Sequence, residues 1–119
     1  MAEPSNTDAT LQLVDQAIHG DDRAWDALFT PHRDRLRRMV AVRLDHRLRG
    51  RVDPSDVIQE SALDAARRLP EYAQNPSAPF YLWLRYLTGQ RLMEQHRRHL
   101  GAKARDVRRE CSIQRRTFP

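Results

Sequence analysis

Apolar residues recur at spacings of three and four along most of the chain, which is the pattern of amphipathic α-helices. The first such stretch predicts a helix from about Asp8 to His19, ended by Gly20. Its inner face carries Leu11, Val14 and Ile18. Residues 1–7 show no such period and are mostly small or polar, so we expect a disordered leader there.

A second, longer helical stretch begins after Asp21 or Asp22, either of which can cap it. Pro31 lacks a backbone N–H and therefore predicts a kink or a break near Thr30. The inner positions of this stretch are Trp25, Leu28, Phe29, Leu36, Met39, Val40 and Leu44. A basic connection over residues 45–52 follows it.

The third helix has the clearest start signal in the chain. Asp53 can accept free N–H groups, Pro54 suits the first helical position, and Asp56 adds a carboxylate to the first turn. Pro70 is expected to end this helix. Its inner residues are Val57, Ile58, Ala62, Ala65 and Leu69, and its opposite side carries Asp56, Gln59, Glu60, Leu63, Asp64 and Arg67. A leucine among charged residues favours a protein-docking face, and the alternative is a solvated acidic face.

Residues 71–79 have the composition of a loop, and a last helix is predicted from about Pro79 to Leu100 with Ser77 as its cap. The inner side of that helix carries Phe80, Leu84, Leu87 and Leu92. Tyr81 lies off this stripe and is expected to be exposed, whereas Trp83 suits either the core or a ligand-contacting position.

These elements predict an all-α fold, a small bundle of about four helices over residues 8–101 with a flexible basic tail over residues 102–119. The 119 residues suit one domain, and no apolar run is long enough for a membrane span. The N-terminus lacks the pattern of a secretory signal. The single cysteine, Cys111, cannot form an internal disulfide, so the reducing cytoplasm is the simplest location.

Charge alternates along the chain although the net charge is only +5. Residues 1–30 carry six acidic residues and one basic residue, whereas residues 31–52 carry eight arginines and two acidic residues. Residues 53–75 are again acidic, and residues 76–119 carry ten basic and three acidic residues. Arginine suits phosphate and base edges, so this alternation favours one acidic docking side and one basic side that faces nucleic acid.

Aromatic, amide and arginine side chains gather around the predicted loop and last helix. Aromatic faces can stack unpaired bases, amides and hydroxyls can bond their edges, and arginines can neutralise phosphates. The candidate DNA-binding residues are Tyr72, Asn75, Ser77, Phe80, Tyr81, Trp83, Arg85, Gln90, Arg91, Arg97 and Arg98. The alternative for Phe80 and Trp83 is a place in the core, and for the arginines a solvated basic face.

Several motifs in order resemble those of bacterial sigma factors of the extracytoplasmic-function class. Residues 56–60, Asp-Val-Ile-Gln-Glu, resemble the core of sigma region 2.2, and residues 80–84, Phe-Tyr-Leu-Trp-Leu, resemble the start of region 2.3. Residues 24–29 and 35–40 are similar to regions 1.2 and 2.1, and residues 90–98 to region 2.4. The resemblance covers roughly residues 9–100.

The resemblance implies a non-enzymatic transcription initiation domain without a cofactor or metal. In that family one surface binds the clamp helices of the largest catalytic subunit of RNA polymerase, and another captures the non-template strand of the promoter −10 element and helps to melt it. The resemblance assigns the polymerase contact to Asp56, Gln59, Glu60, Leu63, Asp64 and Arg67. An anti-sigma factor is a further possible partner, and no membrane partner is expected.

The chain departs from the family pattern at three positions and in its tail. Tyr81 stands where a basic residue is usual, and Gly89 and Gln90 stand where an Arg-Asn pair is common. The segment 102–119 resembles the start of an inter-domain linker, and we expect no helix-turn-helix domain within this chain.

Two other classes of protein remain open on the sequence. One is a helical adaptor or anti-sigma-like bundle that binds protein and not DNA. The other is a helical metal-dependent hydrolase, which His96 and His99 alone do not support because a metal site needs further ligands.

Overall fold

The computed structural model describes residues 6–76 and 78–117, with side chains given through residue 101. The fold is all-α, and the described residues contain no strand. The elements are α1 (Asp8–Ile18), α2 (Asp22–Arg43), a 3-10 turn (His46–Leu48), α3 (Pro54–Gln74) and α4 (Phe80–Thr117). The predicted fold class is therefore confirmed, with helix α4 running on through the segment where the sequence predicts a basic tail.

Helices α1, α2 and α3 each follow a residue whose side chain accepts a backbone hydrogen bond. Side-chain oxygens of Thr7, Asp21 and Asp53 accept N–H groups two or three residues ahead, at 3.1, 3.0 and 2.9 Å respectively. These bonds satisfy donors that have no partner inside a helix. The predicted Asp53 cap, with Pro54 at the first helical position, is confirmed.

Neither internal proline ends its helix, so a break near Thr30 and an end of α3 at Pro70 are both excluded. Helix α2 is continuous across Pro31, and α3 continues beyond Pro70 to Gln74, so the loop covers only residues 75–79. A proline inside a helix costs roughly 3 kcal/mol. The turn after Pro70 offsets that cost because it buries Tyr72, which is 6% exposed and packs against α4.

The core lies between α2, α3 and α4, and the predicted inner residues of these helices form most of it. Its least exposed members on these three helices are Leu36, Val40, Val57, Ile58, Ala65, Leu69, Leu84 and Leu87. Two buried hydroxyls are satisfied within their own helices, since Ser61 donates to the carbonyl of Val57 and Thr88 to that of Leu84. The basic connection also contributes to the core, because Leu48 and Val52 are buried.

Helix α1 covers one side of the bundle with a slightly different face from the predicted one. Val14 is buried and Ile18 partly buried, but Leu11 is exposed, and Leu13 and Ala17 pack against the core instead. The predicted disordered leader is wrong for its last two residues. Thr7 caps α1 and Asn6 bonds to α4, while residues 1–5 lie outside the described part of the chain.

Candidate functional site

A stripe of exposed side chains runs along the outer side of α3. It consists of Asp56, Gln59, Leu63 and Arg67, which we call the α3 stripe. Spacings of three and four place them on one face of the helix, opposite its buried residues. Leu63 is 60% exposed at the middle of the stripe. The structure thus brings together four of the six residues that the sequence predicts as a docking face.

The other two predicted docking residues face α4 and not solvent. Glu60 is half-buried and accepts a hydrogen bond from Nε2 of Gln95 at 3.3 Å. Asp64 is only 8% exposed, and its Oδ1 lies 3.4 Å from Arg91 and 3.4 Å from Arg68. Each follows an exposed residue by one position, a rotation of about 100° that turns it towards α4. Asp64 is therefore a structural residue, and its predicted place on the outer face is wrong.

The predicted DNA-binding Arg91 is the partner of that buried carboxylate. Its side chain is 26% exposed and bridges Asp64 on α3 and Glu94 on α4, the latter at 3.3 Å. Arg98 is more exposed and also pairs with Glu94, at 3.4 Å. Arg91 therefore holds α3 to α4, which corrects its expected position on a free basic face, whereas Arg97 and Arg98 do lie at the surface.

The outward face of α4 carries a second exposed stripe. It consists of Tyr86, Gln90, Met93 and Arg97, which we call the α4 stripe. Tyr86 and Met93 are 61% and 63% exposed, and Nε2 of Gln90 donates to the Tyr86 hydroxyl at 2.8 Å. Sequence reasoning missed Tyr86 and Met93 as site residues, although their helical spacing from Gln90 and Arg97 places all four on one face.

The aromatic residues around the loop are mostly buried, and Tyr81 corrects the expectation that it is exposed. It is 7% exposed, its ring lies 5.1 Å from that of His32, and Cζ of Arg35 lies 4.2 Å above it. Because Tyr81 follows Phe80 by one position on the helix, its side chain points in a different direction, towards α2, and α2 covers it. Burial and the neighbouring Arg35 lower the pKa of His32 below its ordinary value.

Phe80 is buried in the core, which favours the core alternative for it. Trp83 is half-buried and stacks on Tyr72, with ring centroids 4.6 Å apart and planes 27° apart. Burial raises the pKa of Tyr72, an effect that the hydrogen bond from Asn6 partly opposes.

A surface cavity opens beside this stacked pair. It has a volume of about 300 Å³ and lies between the end of α3 and the start of α4. Its walls are formed by Arg68, Glu71, Tyr72, Asn75, Ala78, Trp83, Tyr86 and Leu87. Asn75 and Tyr86 are exposed at its edge, so an aromatic wall and an amide meet in one recess. Ser77, predicted both as a helix cap and as a DNA contact, lies outside the described residues.

A basic surface continues from α4 onto α2. Arg35, Arg38, Arg43 and Arg85 surround a shallow depression of about 340 Å³ together with Met39, Val42 and Tyr81. Arg43 and Arg85 also border a longer groove of about 630 Å³ that follows α4 past Leu82, Tyr86 and Met93. Arg85, which the sequence predicts as a DNA-binding residue, thus belongs to a cluster of arginines whose other members lie on α2.

The histidines of α4 are engaged in hydrogen bonds. Nε2 of His96 accepts the backbone N–H of Asp45 at 3.1 Å, and a ring nitrogen of His99 lies 3.1 Å from the side-chain oxygen of Gln95. Over the described residues no three His, Cys, Asp or Glu side chains come close enough to hold a metal ion. In the same part of the chain no helix is long and apolar enough to cross a membrane.

Comparison of the chain with models of protein families, with curated proteins and with solved structures returned no match.

Proposed function

We propose that this chain is a transcription initiation domain of the sigma region 2 type. It binds the clamp helices of RNA polymerase through the α3 stripe and captures the melted non-template strand of the −10 element beside α4. The observation that carries the proposal is the separation of two exposed faces, one mixed apolar and charged on α3 and one aromatic and basic on α4, in a chain whose motifs resemble sigma factors.

The α3 stripe has the composition of a small protein interface. Leu63 supplies an apolar centre, and Asp56 and Arg67 can pair with charged residues of the partner and set its orientation. Covering the exposed part of Leu63 is worth about 1–2 kcal/mol, since full burial of a leucine contributes roughly 1.5–3 kcal/mol. One such anchor with charged neighbours suits docking on a helical surface of complementary charge.

The surface beside α4 has the composition needed to hold an unpaired base. Stacking of a base on an aromatic ring contributes about 1–3 kcal/mol, which is comparable to the few kcal/mol lost when a base leaves the duplex. Tyr86 and Trp83 offer ring surface at the cavity, and Asn75 offers an amide for the base edge. Arg97 is exposed on the α4 stripe, and Arg85 lies beside Arg38 and Arg43 of α2, so these side chains can neutralise the adjoining phosphates.

The two faces can be occupied at the same time. Between them run the contacts that join α3 to α4, namely Glu60 to Gln95 and Asp64 to Arg91. Neither partner therefore needs the surface that the other covers, as an initiation domain bound to polymerase and promoter requires.

Polymerase binding tests the first half of the proposal. The double variant Asp56→Ala/Gln59→Ala leaves Glu60 and its bond to Gln95 in place, so the fold is kept. A matched control, Asp26→Ala/Gln12→Ala, removes an exposed acid and an exposed amide from α2 and α1. We expect the first variant to bind core polymerase at least about tenfold more weakly and the control to bind within about twofold of the original chain. Equal affinities would contradict the assignment of this face.

DNA binding by the polymerase-bound chain tests the second half. A single-stranded oligonucleotide carrying a −10 element is titrated at several salt concentrations against the original chain and against Tyr86→Ala and Arg97→Ala. Tyr86→Ala should weaken binding at every salt concentration, and Arg97→Ala should reduce the salt slope by roughly 0.7 because one phosphate contact is lost. Polymerase binding without DNA binding would favour the adaptor alternative.

A further inference from the structure

One side chain from the N-terminal segment braces the loop between α3 and α4. Oδ1 of Asn6 accepts the backbone N–H of Phe80 at 2.8 Å. Nδ2 of the same residue donates to the Tyr72 hydroxyl at 2.8 Å and lies 3.4 Å from the carbonyl oxygen of Ala78. The Tyr72 hydroxyl in turn donates to that carbonyl. Asn6 therefore connects the end of α3, the loop and the start of α4.

The loop needs bracing from outside because its own backbone supplies few donors. Two of its five residues, Pro76 and Pro79, have no N–H group. The Phe80 N–H lies in the first turn of α4, where a helix offers no internal acceptor. Asn6 meets this donor from a position 74 residues away in the chain.

The contacts of Asn6 bear directly on the cavity beside α4. Tyr72 and Ala78 both line that cavity, and Tyr72 stacks on Trp83, which forms another part of its wall. Holding the hydroxyl of Tyr72 fixes the position of its ring, and the ring in turn supports Trp83. Asn6 is not itself among the residues that line the cavity.

We infer that Asn6 is a positioning residue for base capture: it sets the stacked Tyr72–Trp83 wall and the loop carbonyl in the arrangement that accepts an unpaired nucleobase. This inference rests on the proposed function for its ligand, while the effect on the wall is independent of it. Asn6 thereby becomes part of the nucleic-acid site although it lies outside the four helices.

The oxygen of the Asn6 amide bonds to Phe80 and the nitrogen bonds to Tyr72. One conservative substitution can therefore keep the first contact and change the second. Asn6→Asp keeps an oxygen that accepts the Phe80 N–H, and a carboxylate is favourable at a helix N-terminus. It loses the amide donor and places a carboxylate next to the Tyr72 hydroxyl and the Ala78 carbonyl. The hydroxyl then has one proton for two acceptors, so it cannot bond position 6 and the Ala78 carbonyl at the same time. The variant should therefore fold like the original chain but lose the arrangement that fixes Tyr72 against the loop. Asn6→Ala loses both contacts, and Gln12→Ala, an exposed amide on α1, serves as the control.

The experiment measures two quantities on the full-length chain. One is acrylamide quenching of Trp83 fluorescence in a Trp25→Phe background, which reports the stacked wall without any ligand. The other is the affinity of the polymerase-bound chain for a single-stranded −10 oligonucleotide, together with its affinity for polymerase. We expect Asn6→Asp to increase quenching of Trp83, to weaken DNA binding about five- to twentyfold, and to leave polymerase binding within twofold, with Gln12→Ala unchanged throughout.

The outcomes separate this inference from the proposed function. Unchanged quenching in both Asn6 variants would overturn it, and so would altered quenching with unaltered DNA affinity. If the original chain binds no DNA, the proposed function fails by itself, and the role of Asn6 in base capture falls with it whether or not the wall shifts. If DNA affinity falls only in Asn6→Ala, the Phe80 cap and not the Tyr72 brace is the relevant contact, and the inference as stated is wrong.

Discussion

Replacing Asp64 by alanine removes the carboxylate that joins α3 to α4. Asp64 is 8% exposed and faces two guanidinium groups at 3.4 Å. The pair with Arg68 is the weaker one, because Arg68 is 52% exposed and lies one turn away on the same helix. Pairs four residues apart on a helix contribute about 0.3–0.5 kcal/mol when they are open to solvent, as the Arg68 side of this pair is. Most of the effect should therefore come from Arg91.

The magnitude follows from the surroundings of Arg91. Breaking a fully buried ion pair costs about 3–5 kcal/mol because one charge is left without compensation. Arg91 is 26% exposed and keeps Glu94 as a partner at 3.3 Å, so its charge stays partly compensated. We therefore expect Asp64→Ala to lower the free energy of unfolding by about 2 kcal/mol, with a coupling to Arg91→Ala of about 1 kcal/mol.

Urea unfolding followed by helical circular dichroism measures these values in the two single variants and the double variant. Arg67→Ala, an exposed arginine of the same helix, is the control and should stay within about 0.5 kcal/mol of the original chain. A coupling below about 0.3 kcal/mol between Asp64 and Arg91 would refute the role of this pair as a connection between the helices. A loss of polymerase affinity in Asp64→Ala without any loss of stability would also refute this structural role of Asp64.

Three further predictions concern the burial and the backbone of single residues. Tyr81→Ala should cost about 3 kcal/mol of stability by urea unfolding, since the ring is buried beneath Arg35, whereas the exposed Tyr86→Ala should cost less than about 0.5 kcal/mol; equal losses would contradict the buried position. Because the pKa of His32 is lowered in the folded chain, the unfolded chain binds its proton more tightly, so stability should fall as the pH drops below the ordinary value of 6.5. His32→Gln should reduce this dependence between pH 7.5 and 5, and an unchanged pH profile would show that the histidine does not contribute. Gly20 has a φ of +95°, so Gly20→Ala should lower the thermal midpoint by an amount equivalent to about 1 kcal/mol, and a neutral result would argue against this backbone conformation.

The sequence was sufficient for the elements whose signals are local. The Asp53 cap, the inner residues of α3 and the inner residues of α4 all follow from spacing and capping chemistry, and the structure contains them. The prediction that α3 ends at Pro70 is wrong for a tertiary reason. The turn after Pro70 buries Tyr72, and this burial outweighs the backbone hydrogen bond that the proline removes.

The candidate site was less predictable because its details depend on which helix faces which. Helical spacing places Asp64 within the predicted docking set, yet the position of α4 turns it into a buried partner of Arg91. Tyr81 lies off the Phe80 stripe, and only the arrangement of α2 shows that it is covered. Asn6 bonds to Tyr72 and Phe80, which follow it in the chain by 66 and 74 positions respectively. No local sequence pattern predicts contacts over such separations.

Docking on polymerase through α3 is tested most directly by comparing an aspartate substitution at Leu63 with one at Val42. Leu63 is 60% exposed in the α3 stripe, and Val42 is 80% exposed on α2, so aspartate at either position leaves the core intact. Core RNA polymerase is titrated with Leu63→Asp, Val42→Asp and the original chain, and the equilibrium affinities are measured. We predict a loss of at least about tenfold for Leu63→Asp and less than about twofold for Val42→Asp. Equal affinity of all three chains, or a larger loss from Val42→Asp, would contradict docking through α3.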